Sequence, residues 1–525
     1  MFKQSFRSLI LFFLFNCYLI CFLSSCVEDV HRNRTHSETS LSGIKNGKIL
    51  AARYCQACHL LPDPSLLDSK DWEKGVLPNM GPRLGIFVYN FETYPSAKHD
   101  RNLDPNYYPS QPLLSFAEWQ NIIDYYTATS PDTLPHQQRQ YPIQMGLPLF
   151  TAQIPPVNYP ASATSFIKIN ASDPLHPLII SDALKKTAFF LNKNLNVIDS
   201  VPNVGVVVDM NFKQSEILAC DIGVLNPNNG KFGKGEYIRS NKNGKMTRDS
   251  LPLFDGLQRP VELTSADLNN DGKMDYIICE FGYLTGALSW MENLGNNKYT
   301  RHVLRPFPGA IKAYVQDYNH DGLPDLWVLF AQGEEGIFLF TNKGNGQFSQ
   351  EEVLRFPPIY GSSYFELADF NKDGYPDIVY TCGDNADFSP VLKPYHGVYI
   401  FINDKTNHFK QEFFYPINGC YKAIARDFDG DGDLDIATIS FFADYAHQPE
   451  EGFVYFKNTG NFNFMPYTLP EGKLGRWLTM DAGDIDGDGK IDLVLGNFSI
   501  GPVMNKSAVD WKKAPSFILL KNTGK

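Results

Sequence analysis

The chain has 525 residues, of which 43% are hydrophobic and 14% are aromatic, and its formal net charge at pH 7 is -11. This length is enough for about three domains, or for one repeat array with a smaller domain beside it. The acidic balance argues against a nucleic-acid partner and against an anionic membrane surface, and it favours bound cations.

The N-terminus has the layout of an export signal. Lys3 and Arg7 precede a nearly unbroken apolar run over residues 9–22. The Leu-Ser-Ser-Cys that ends at Cys26 resembles the lipobox of bacterial lipoproteins, in which the cysteine is acylated and becomes the first mature residue. The resemblance implies a signal peptide over residues 1–25 and a protein of the cell envelope, lipid-anchored to the outer membrane on its periplasmic or surface face. An ordinary signal peptide or a single membrane anchor is the alternative.

A polar tether is expected over residues 26–42, and a Cys-x-x-Cys-His motif follows at Cys55, Cys58 and His59. This motif is typical of c-type haem attachment, in which both thiols add to the porphyrin and the adjacent imidazole binds the iron. A tetrahedral zinc site needs four ligands, and the nearby sequence offers no second cysteine pair. A thioredoxin-like motif expects a βαβ context, which is absent from this sequence. We therefore expect one covalent haem c.

The sixth iron ligand is expected at Met80, the first methionine or histidine after the motif, in a loop flanked by proline and glycine. His99 is the substitute ligand, and a role for Met80 as a core gap-filler is the alternative.

A closing amphipathic helix is predicted from Ser115 to Ser130, with one apolar face made of Phe116, Trp119, Ile122, Ile123 and Tyr126. Together, residues 43–135 resemble a small all-α cytochrome c domain, although the segment from Phe87 to Gln111 is an unusual insertion for that family.

Five repeats of nine residues follow, and their starting points are separated by 50, 52, 58 and 57 residues. Each repeat has oxygen-bearing side chains at positions 1, 3, 5 and 9 and a glycine at position 6, a pattern that suits calcium. The candidate ligands are Asp267, Asn269, Asp271 and Asp275; Asp317, Asn319, Asp321 and Asp325; Asp369, Asn371, Asp373 and Asp377; Asp427, Asp429, Asp431 and Asp435; and Asp484, Asp486, Asp488 and Asp492.

These loops are not EF-hands, because position 12 lacks the bidentate glutamate and the residues after position 9 favour a β-strand. Four strands per unit at a period near 50 predict propeller blades. The units resemble the FG-GAP or VCBS repeats of calcium-loaded, integrin-type β-propellers over residues 145–525. Two further units lack the motif, which brings the expected number of blades to seven. A strand within residues 149–157 is expected to close the ring by pairing with the last blade.

The predicted fold is thus a small all-α cytochrome c domain followed by an all-β seven-bladed propeller with calcium-binding loops. A haem with a His/Met ligand pair has no open coordination position, so electron transfer is the favoured function. The propeller is then a docking scaffold for a redox partner protein or a quinone-linked donor. Two alternatives are a dehydrogenase propeller that feeds the haem, which would make the protein a haem-linked oxidoreductase, and a surface adhesion or glycan-binding lipoprotein.

Four cysteines lie in or beside apolar stretches of the repeat region, at Cys220, Cys279, Cys382 and Cys420. A buried small hydrophobic side chain is the favoured role for each, rather than a disulfide.

Overall fold

The structure is a computed structural model that describes residues 39–156, 161–213, 216–386, 388–503 and 507–524. The expected signal peptide, Cys26 and most of the expected tether lie outside the described residues. Within the described part of the chain, no helix is both long and apolar enough to cross a membrane.

A helical segment comes first. Its helices are α1 Leu41–Tyr54, α2 Ser69–Asp71, α3 Leu77–Met80 and α4 Phe116–Thr129, with a π-helical turn over Trp72–Val76 and 3-10 turns over Pro64–Leu66 and Gly81–Leu84. Helix α4 begins at a capping box, in which the Ser115 hydroxyl accepts from the Glu118 backbone and the Glu118 carboxylate accepts from the Ser115 backbone. The predicted closing helix is therefore confirmed. On its predicted apolar face, Trp119, Ile122 and Tyr126 are buried, whereas Phe116 is 58% exposed.

Helices α1 and α4 cross closely at a glycine. A Cβ atom on Gly47 would lie 1.8 Å from the backbone oxygen of Asn121, so no larger residue fits there. The core beside this crossing contains fully buried Trp72 and Tyr126, whose ring centroids are 4.4 Å apart. Trp72 Nε1 donates to the Pro64 carbonyl at 2.8 Å, which satisfies its polar atom.

The other elements of the described chain are β-strands, apart from 3-10 turns over Pro449–Gly452 and Pro470–Lys473. Strands β1 Val88–Tyr89 and β2 Glu92–Thr93 pair within the helical segment, and β3 Gln144–Met145 and β4 Phe150–Gln153 follow it. Blades 1 and 2 contain β5 Thr164–Ile169, β6 Leu178–Asp182, β7 Thr187–Leu191 and β8 Val197–Pro202, then β9 Val207–Lys213, β10 Glu216–Asp221, β11 Gly233–Ser240, β12 Met246–Arg248 and β13 Phe254–Leu257.

The five blades that carry the nine-residue motif are built alike. Blades 3 and 4 contain β14 Pro260–Ala266, β15 Asp275–Glu280, β16 Ala287–Gly295 and β17 Lys298–Arg305, then β18 Ala310–Gln316, β19 Asp325–Phe330, β20 Gly336–Asn342 and β21 Phe348–Arg355. Blade 5 contains β22 Ser362–Ala368, β23 Asp377–Cys382, β24 Gly397–Asn403 and β25 Phe409–Pro416. Blade 6 contains β26 Cys420–Arg426, β27 Asp435–Ser440, β28 Phe453–Asn458 and β29 Phe464–Thr468. Blade 7 contains β30 Trp477–Gly483, β31 Asp492–Asn497 and β32 Phe517–Asn522.

These sheets form a closed ring. The first strands of successive blades contact one another in chain order, and β30 of blade 7 contacts β5 of blade 1. Each of the seven interfaces between neighbouring blades, among the described residues, buries its own apolar cluster. The protein therefore contains a seven-bladed β-propeller, as the repeat period predicts.

The ring is closed by an early strand. Strand β4 pairs antiparallel with β32, so that Phe150 lies opposite Asn522 and Gln153 lies opposite Leu519. The predicted closure is confirmed, and it gives blade 7 a fourth strand from the start of the array.

The helical segment packs on one face of the propeller. Tyr395 Oη donates to the Leu66 carbonyl at 3.1 Å, and Asn229 Nδ2 donates to Asp100 Oδ2 at 2.8 Å. Both propeller residues lie in connections between the second and third strands of their blades. The nine-residue motifs connect first to second strands, so they lie at the opposite face of these antiparallel sheets.

Cys220, Cys279, Cys382 and Cys420 are buried in the blades, and none of them forms a disulfide in the described chain. The predicted role as small buried side chains is confirmed. Burial raises the pKa of Cys382 to about 12, as expected for a thiol inside an apolar sheet.

Candidate functional site

The Cys-x-x-Cys-His motif begins at the end of α1. Cys55 caps the helix by donating its N–H to the Ala51 carbonyl at 2.8 Å, and Cys58 N–H donates to the Cys55 carbonyl at 3.3 Å. Cys55 is half-buried against the core of the helical segment, whereas Cys58 is exposed. Burial, together with the charge of Cys58, raises the pKa of Cys55 to about 12. The two thiols are thus held one turn apart at the surface of the helical core.

One ring nitrogen of His59 forms a hydrogen bond with the backbone. Its Nδ1 lies 2.9 Å from the carbonyl oxygen of Leu60. Because a carbonyl oxygen can only accept, Nδ1 carries the proton and Nε2 keeps its lone pair. This is the tautomer that an Nε2 metal ligand needs, and a carbonyl partner of this kind fixes the orientation of the ring.

The two candidates for the sixth ligand differ in their surroundings. Met80 ends α3, is half-buried, and packs against the same core that Cys55 contacts. His99 is exposed on the insertion between Phe87 and Gln111. The structure thus brings Met80, but not His99, to the apolar core at the motif.

The nine-residue loops are built on their first aspartate. In every loop the carboxylate at position 1 accepts the N–H of the glycine at position 6, at distances between 2.8 and 3.0 Å. These glycines have φ values from 80° to 92°, which only glycine adopts without strain. The glycines are Gly272, Gly322, Gly374, Gly432 and Gly489. Each loop therefore makes a sharp turn at position 6.

The arrangement of the side-chain oxygen atoms in the last two loops differs from that in the first three. Carboxylate oxygens of Asp427, Asp429 and Asp431 lie within 4.8 Å of one another, and so do those of Asp484, Asp486 and Asp492. In the three earlier loops position 3 is asparagine, and the Asn269, Asn319 and Asn371 amide oxygens accept the N–H of position 5. Each loop therefore concentrates hard oxygen donors in one small turn.

Position 9 has a structural role that the sequence pattern does not reveal. These aspartates begin the second strand and are completely buried: Asp275, Asp325, Asp377, Asp435 and Asp492. In each of them Oδ1 accepts the N–H of an asparagine at the end of the third strand, at 2.7 to 2.9 Å. The asparagines are Asn293, Asn342, Asn403, Asn458 and Asn522. We call each such pair an Asp–Asn latch.

The latch also joins neighbouring parts of the propeller. Each latch asparagine donates its side-chain N–H to the carbonyl of position 8 in its own loop. Asn342 also donates to Leu268 of blade 3 at 2.9 Å, and Asn522 donates to Phe428 of blade 6 at 2.7 Å. A signal for these residues exists in the sequence, since an asparagine lies at the end of each of these third strands, or within two residues of it in blade 3, and a turn follows.

Residues 267–328 and 317–380 match the family of FG-GAP-like repeats. These segments are FG-GAP-like repeats. They cover the loops of blades 3 to 5, and the loops of blades 6 and 7 share the same motif, latch and position-6 glycine. We therefore call all five turns FG-GAP loops.

A curated relative is cartilage acidic protein 1 of Mus musculus, which is 30% identical over 183 residues, or 32% of this chain. The chain spans 26% of the length of that relative.

Several solved structures resemble the fold at low sequence identity. Sqt1 of Saccharomyces cerevisiae is 9% identical, with a TM-score of 0.43 over 69% of this chain and 96% of its own. An ancestral GH74 enzyme is 11% identical, with a TM-score of 0.45 over 72% and 51%. The periplasmic gluconolactonase of Pseudomonas aeruginosa is 9% identical, with a TM-score of 0.39 over 58% and 85%.

Lysine side chains lie against the most acidic FG-GAP loops. Lys457 Nζ contacts Asp429, and Lys521 Nζ contacts Asp486 and lies 3.8 Å from Asp488. Each lysine immediately precedes its latch asparagine. These ammonium groups offset part of the negative charge where position 3 is aspartate rather than asparagine.

Proposed function

We propose that the protein is an exported electron-transfer protein, with one covalent haem c on the helical segment and a calcium-binding FG-GAP propeller as its docking scaffold. Cys55 and Cys58 would hold the porphyrin through thioether bonds, and His59 and Met80 would be the axial ligands. A haem with this ligand pair supplies one-electron transfer. A redox partner protein or a quinone-linked donor would exchange electrons with it.

The observation that carries this proposal is the contact of 2.9 Å between His59 Nδ1 and the Leu60 carbonyl oxygen. The Leu60 carbonyl holds the Nδ1 proton, so Nε2 is available at a fixed orientation immediately after the two cysteines. Met80 packs against the same core as Cys55, as a second axial ligand on this segment would require. These contacts favour a haem site over a role for the cysteines as a redox pair, because a redox pair has no need of an oriented histidine.

The test of haem binding is the double variant Cys55→Ser/Cys58→Ser, produced in a host with cytochrome c maturation. We expect wild-type protein to keep a haem-stained band after denaturing electrophoresis and the double variant to lose it. Cys220→Ser is the matched control, since that thiol is buried in blade 2. A wild-type band without haem would overturn the proposal.

The sixth ligand is tested by Met80→Ala and His99→Ala in the haem-loaded protein. Loss of the thioether should lower the reduction potential, because methionine ligation raises it. We expect Met80→Ala to change the potential and the spectrum, and His99→Ala to change neither. The reverse result would assign the position to His99.

Calcium is proposed at all five FG-GAP loops, with the ligands at positions 1, 3, 5 and 9. The support is the convergence of carboxylates in blades 6 and 7 and the oxygen-only donor set, which hard divalent cations prefer. The latch aspartate at position 9 would then have two tasks, because its carboxylate also accepts backbone N–H groups.

We further propose that Cys26 anchors the protein to the outer membrane by its acyl chains, which contribute about 0.8 kcal/mol per buried methylene. Cys26→Ser should move the protein into the soluble fraction of lysed cells. Retention of this variant in the membrane fraction would favour an uncleaved anchor instead.

A further inference from the structure

A buried histidine lies where the propeller contacts the helical segment. His396 is the last residue of the connection between β23 and β24 in blade 5, and its side chain is completely buried. Neither ring nitrogen of His396 has a hydrogen-bond partner in the described part of the chain. A buried polar ring without a partner costs stability, and a charged ring in the same place costs much more.

Residues 388–396, which we call the contact segment, hold the helical segment against blade 5. A Cβ atom on Gly75 would clash with the Phe388 carbonyl oxygen, so the two backbones approach closely. Val391 packs against the core of the helical segment, and Tyr395 Oη donates to the Leu66 carbonyl at 3.1 Å. A disturbance at His396 therefore acts directly on the contact between the two parts of the protein.

The linker between α4 and β3 is bound to the same contact segment. Gln137 Nε2 donates to the Lys393 carbonyl at 3.0 Å and to the His396 carbonyl at 3.1 Å. Arg139, the charged residue of the linker that follows, forms an ion pair with buried Glu451 of blade 6. Its charge is therefore compensated, and the contact segment joins both the helices and the linker to the propeller.

A cation, but no anion, lies beside His396 in the described chain. Lys393 is also completely buried, and its ammonium group donates to the Asn385 side-chain oxygen at 2.9 Å. No carboxylate of the described residues lies within ion-pair distance of His396 or Lys393. The other titratable side chains around His396 are Tyr360, Cys382 and Tyr395. Burial raises the pKa of Tyr360 and of Cys382 to about 12, so both are uncharged near neutral pH.

We propose that the contact segment is acid-sensitive, and that protonation of His396 releases the helical segment from blade 5. A second buried cation beside Lys393 would have no counter-ion, whereas in the released state both groups reach water. The step takes up one proton and changes no covalent bond. It goes beyond the proposed function and rests on neither the haem nor calcium.

The burial of His396 sets the direction of the pH dependence. Burial, followed by the charge of Lys393, lowers the pKa of His396 well below its usual value, and the Tyr360 backbone acts in the opposite direction. In the released state the ring is solvated and has a pKa near 6.5. Below that pH the released state binds more protons, so the contact weakens by about tenfold per pH unit.

Hydrogen exchange of the full chain, measured by mass spectrometry at pH 7.5 and pH 5, tests this proposal. We expect the protection factors of the contact segment and of residues 59–77 to fall about thirtyfold at pH 5, with little change in the sheet of blade 1. His396→Phe keeps a ring without a titratable group and should lose this pH dependence. His408→Phe is the matched control, because His408 belongs to the same blade and its side chain is 81% exposed.

A second variant, Lys393→Met, keeps the test decisive if His396→Phe fails to fold. It removes the neighbouring cation, so the loss of protection at pH 5 should be smaller than in the wild type. Wild-type protection factors that are equal at both pH values, or an unchanged pH dependence in the folded variants, would overturn the proposal. Equal loss of protection in all blades would also overturn it, because the whole propeller would then be unfolding. None of these outcomes bears on haem staining, so the proposed function is tested separately.

Discussion

Asn522 donates its backbone N–H to Asp492 Oδ1 at 2.8 Å, across the 30 residues that separate the third strand of blade 7 from its FG-GAP loop. The other oxygen of Asp492 accepts the Ile485 N–H at 3.2 Å. Asp492, a candidate calcium ligand in the motif, therefore also connects its loop to the sheet through hydrogen bonds.

Asp492→Ala and Asp488→Ala should separate these two roles. In chelator, we expect Asp492→Ala to lower the free energy of unfolding by about 2–3 kcal/mol, because two backbone donors lose a charged acceptor. Asp488→Ala should have little effect there, since Asp488 is exposed and, among the described residues, accepts a hydrogen bond only from the Lys490 N–H. Urea denaturation measures the loss of unfolding free energy in both variants. It is done at pH 8 so that Asp492 is ionised, because burial raises its pKa to about 6. Equal losses of unfolding free energy in Asp492→Ala and Asp488→Ala in chelator would contradict a stabilising role for the latch.

Lys521→Met should tighten calcium binding at the loop of blade 7. The ammonium group of Lys521 contacts Asp486 and competes with a cation for its charge, so its removal should strengthen one site about five- to tenfold. Lys490→Met is the control, because Lys490 Nζ donates to the Thr523 carbonyl at 3.0 Å beside the same loop. Identical calcium isotherms for the wild type and Lys521→Met would refute this competition between Lys521 and calcium.

Removal of calcium should destabilise the propeller and leave the haem absorbance nearly unchanged. Each site that binds only the native state adds about 2.7 kcal/mol when free calcium is 100 times its dissociation constant. The FG-GAP loops lie on the face opposite the helical segment, so chelation should not disturb the motif. We expect the melting temperature to be lower in chelator. Asp431→Ala should reproduce part of that decrease. Coincident melting curves in chelator and in millimolar calcium would refute the five sites.

Lys422 should make stability rise at alkaline pH. Its ammonium donates to the Met480 carbonyl at 2.8 Å inside the ring of first strands, where burial lowers its pKa to about 8. Because the unfolded chain holds this proton up to a pH near 10, the native state binds fewer protons between these values. The free energy of unfolding should therefore increase from pH 8 to 10.

Chemical denaturation of the wild type and Lys422→Met at several pH values tests this prediction. The variant should lack the increase, whereas Lys410→Met, at a highly exposed position on β25, should keep the wild-type profile. An increase of equal size in Lys422→Met would assign the effect to another group.

The sequence predicts the blades because their signals are local. The nine-residue motif at a period near 50, with the strand after each motif, predicts five blades, and two further units without the motif bring the number to seven. The strand expected within residues 149–157 predicts the closure by β4. The latch is not predicted, because the separation between its two residues varies from 17 in blade 4 to 30 in blade 7. Insertions between the second and third strands remove any fixed spacing.

The packing of the segment that carries the Cys-x-x-Cys-His motif could not be predicted for a similar reason. Leu66 and Tyr395, which form a hydrogen bond, are separated by 329 residues and belong to parts of the chain with different periodicities. Only the packing of the helical segment on the propeller brings them together. The individual residues of the motif, by contrast, are adjacent in sequence and are recognised directly.

The most direct test of the account is the mass of the peptide that contains Cys55 and Cys58, after proteolysis of wild-type protein made in a host with cytochrome c maturation. We predict a single haem on this peptide, attached through both thiols. A peptide with two free thiols, or with a disulfide between them, would contradict the account.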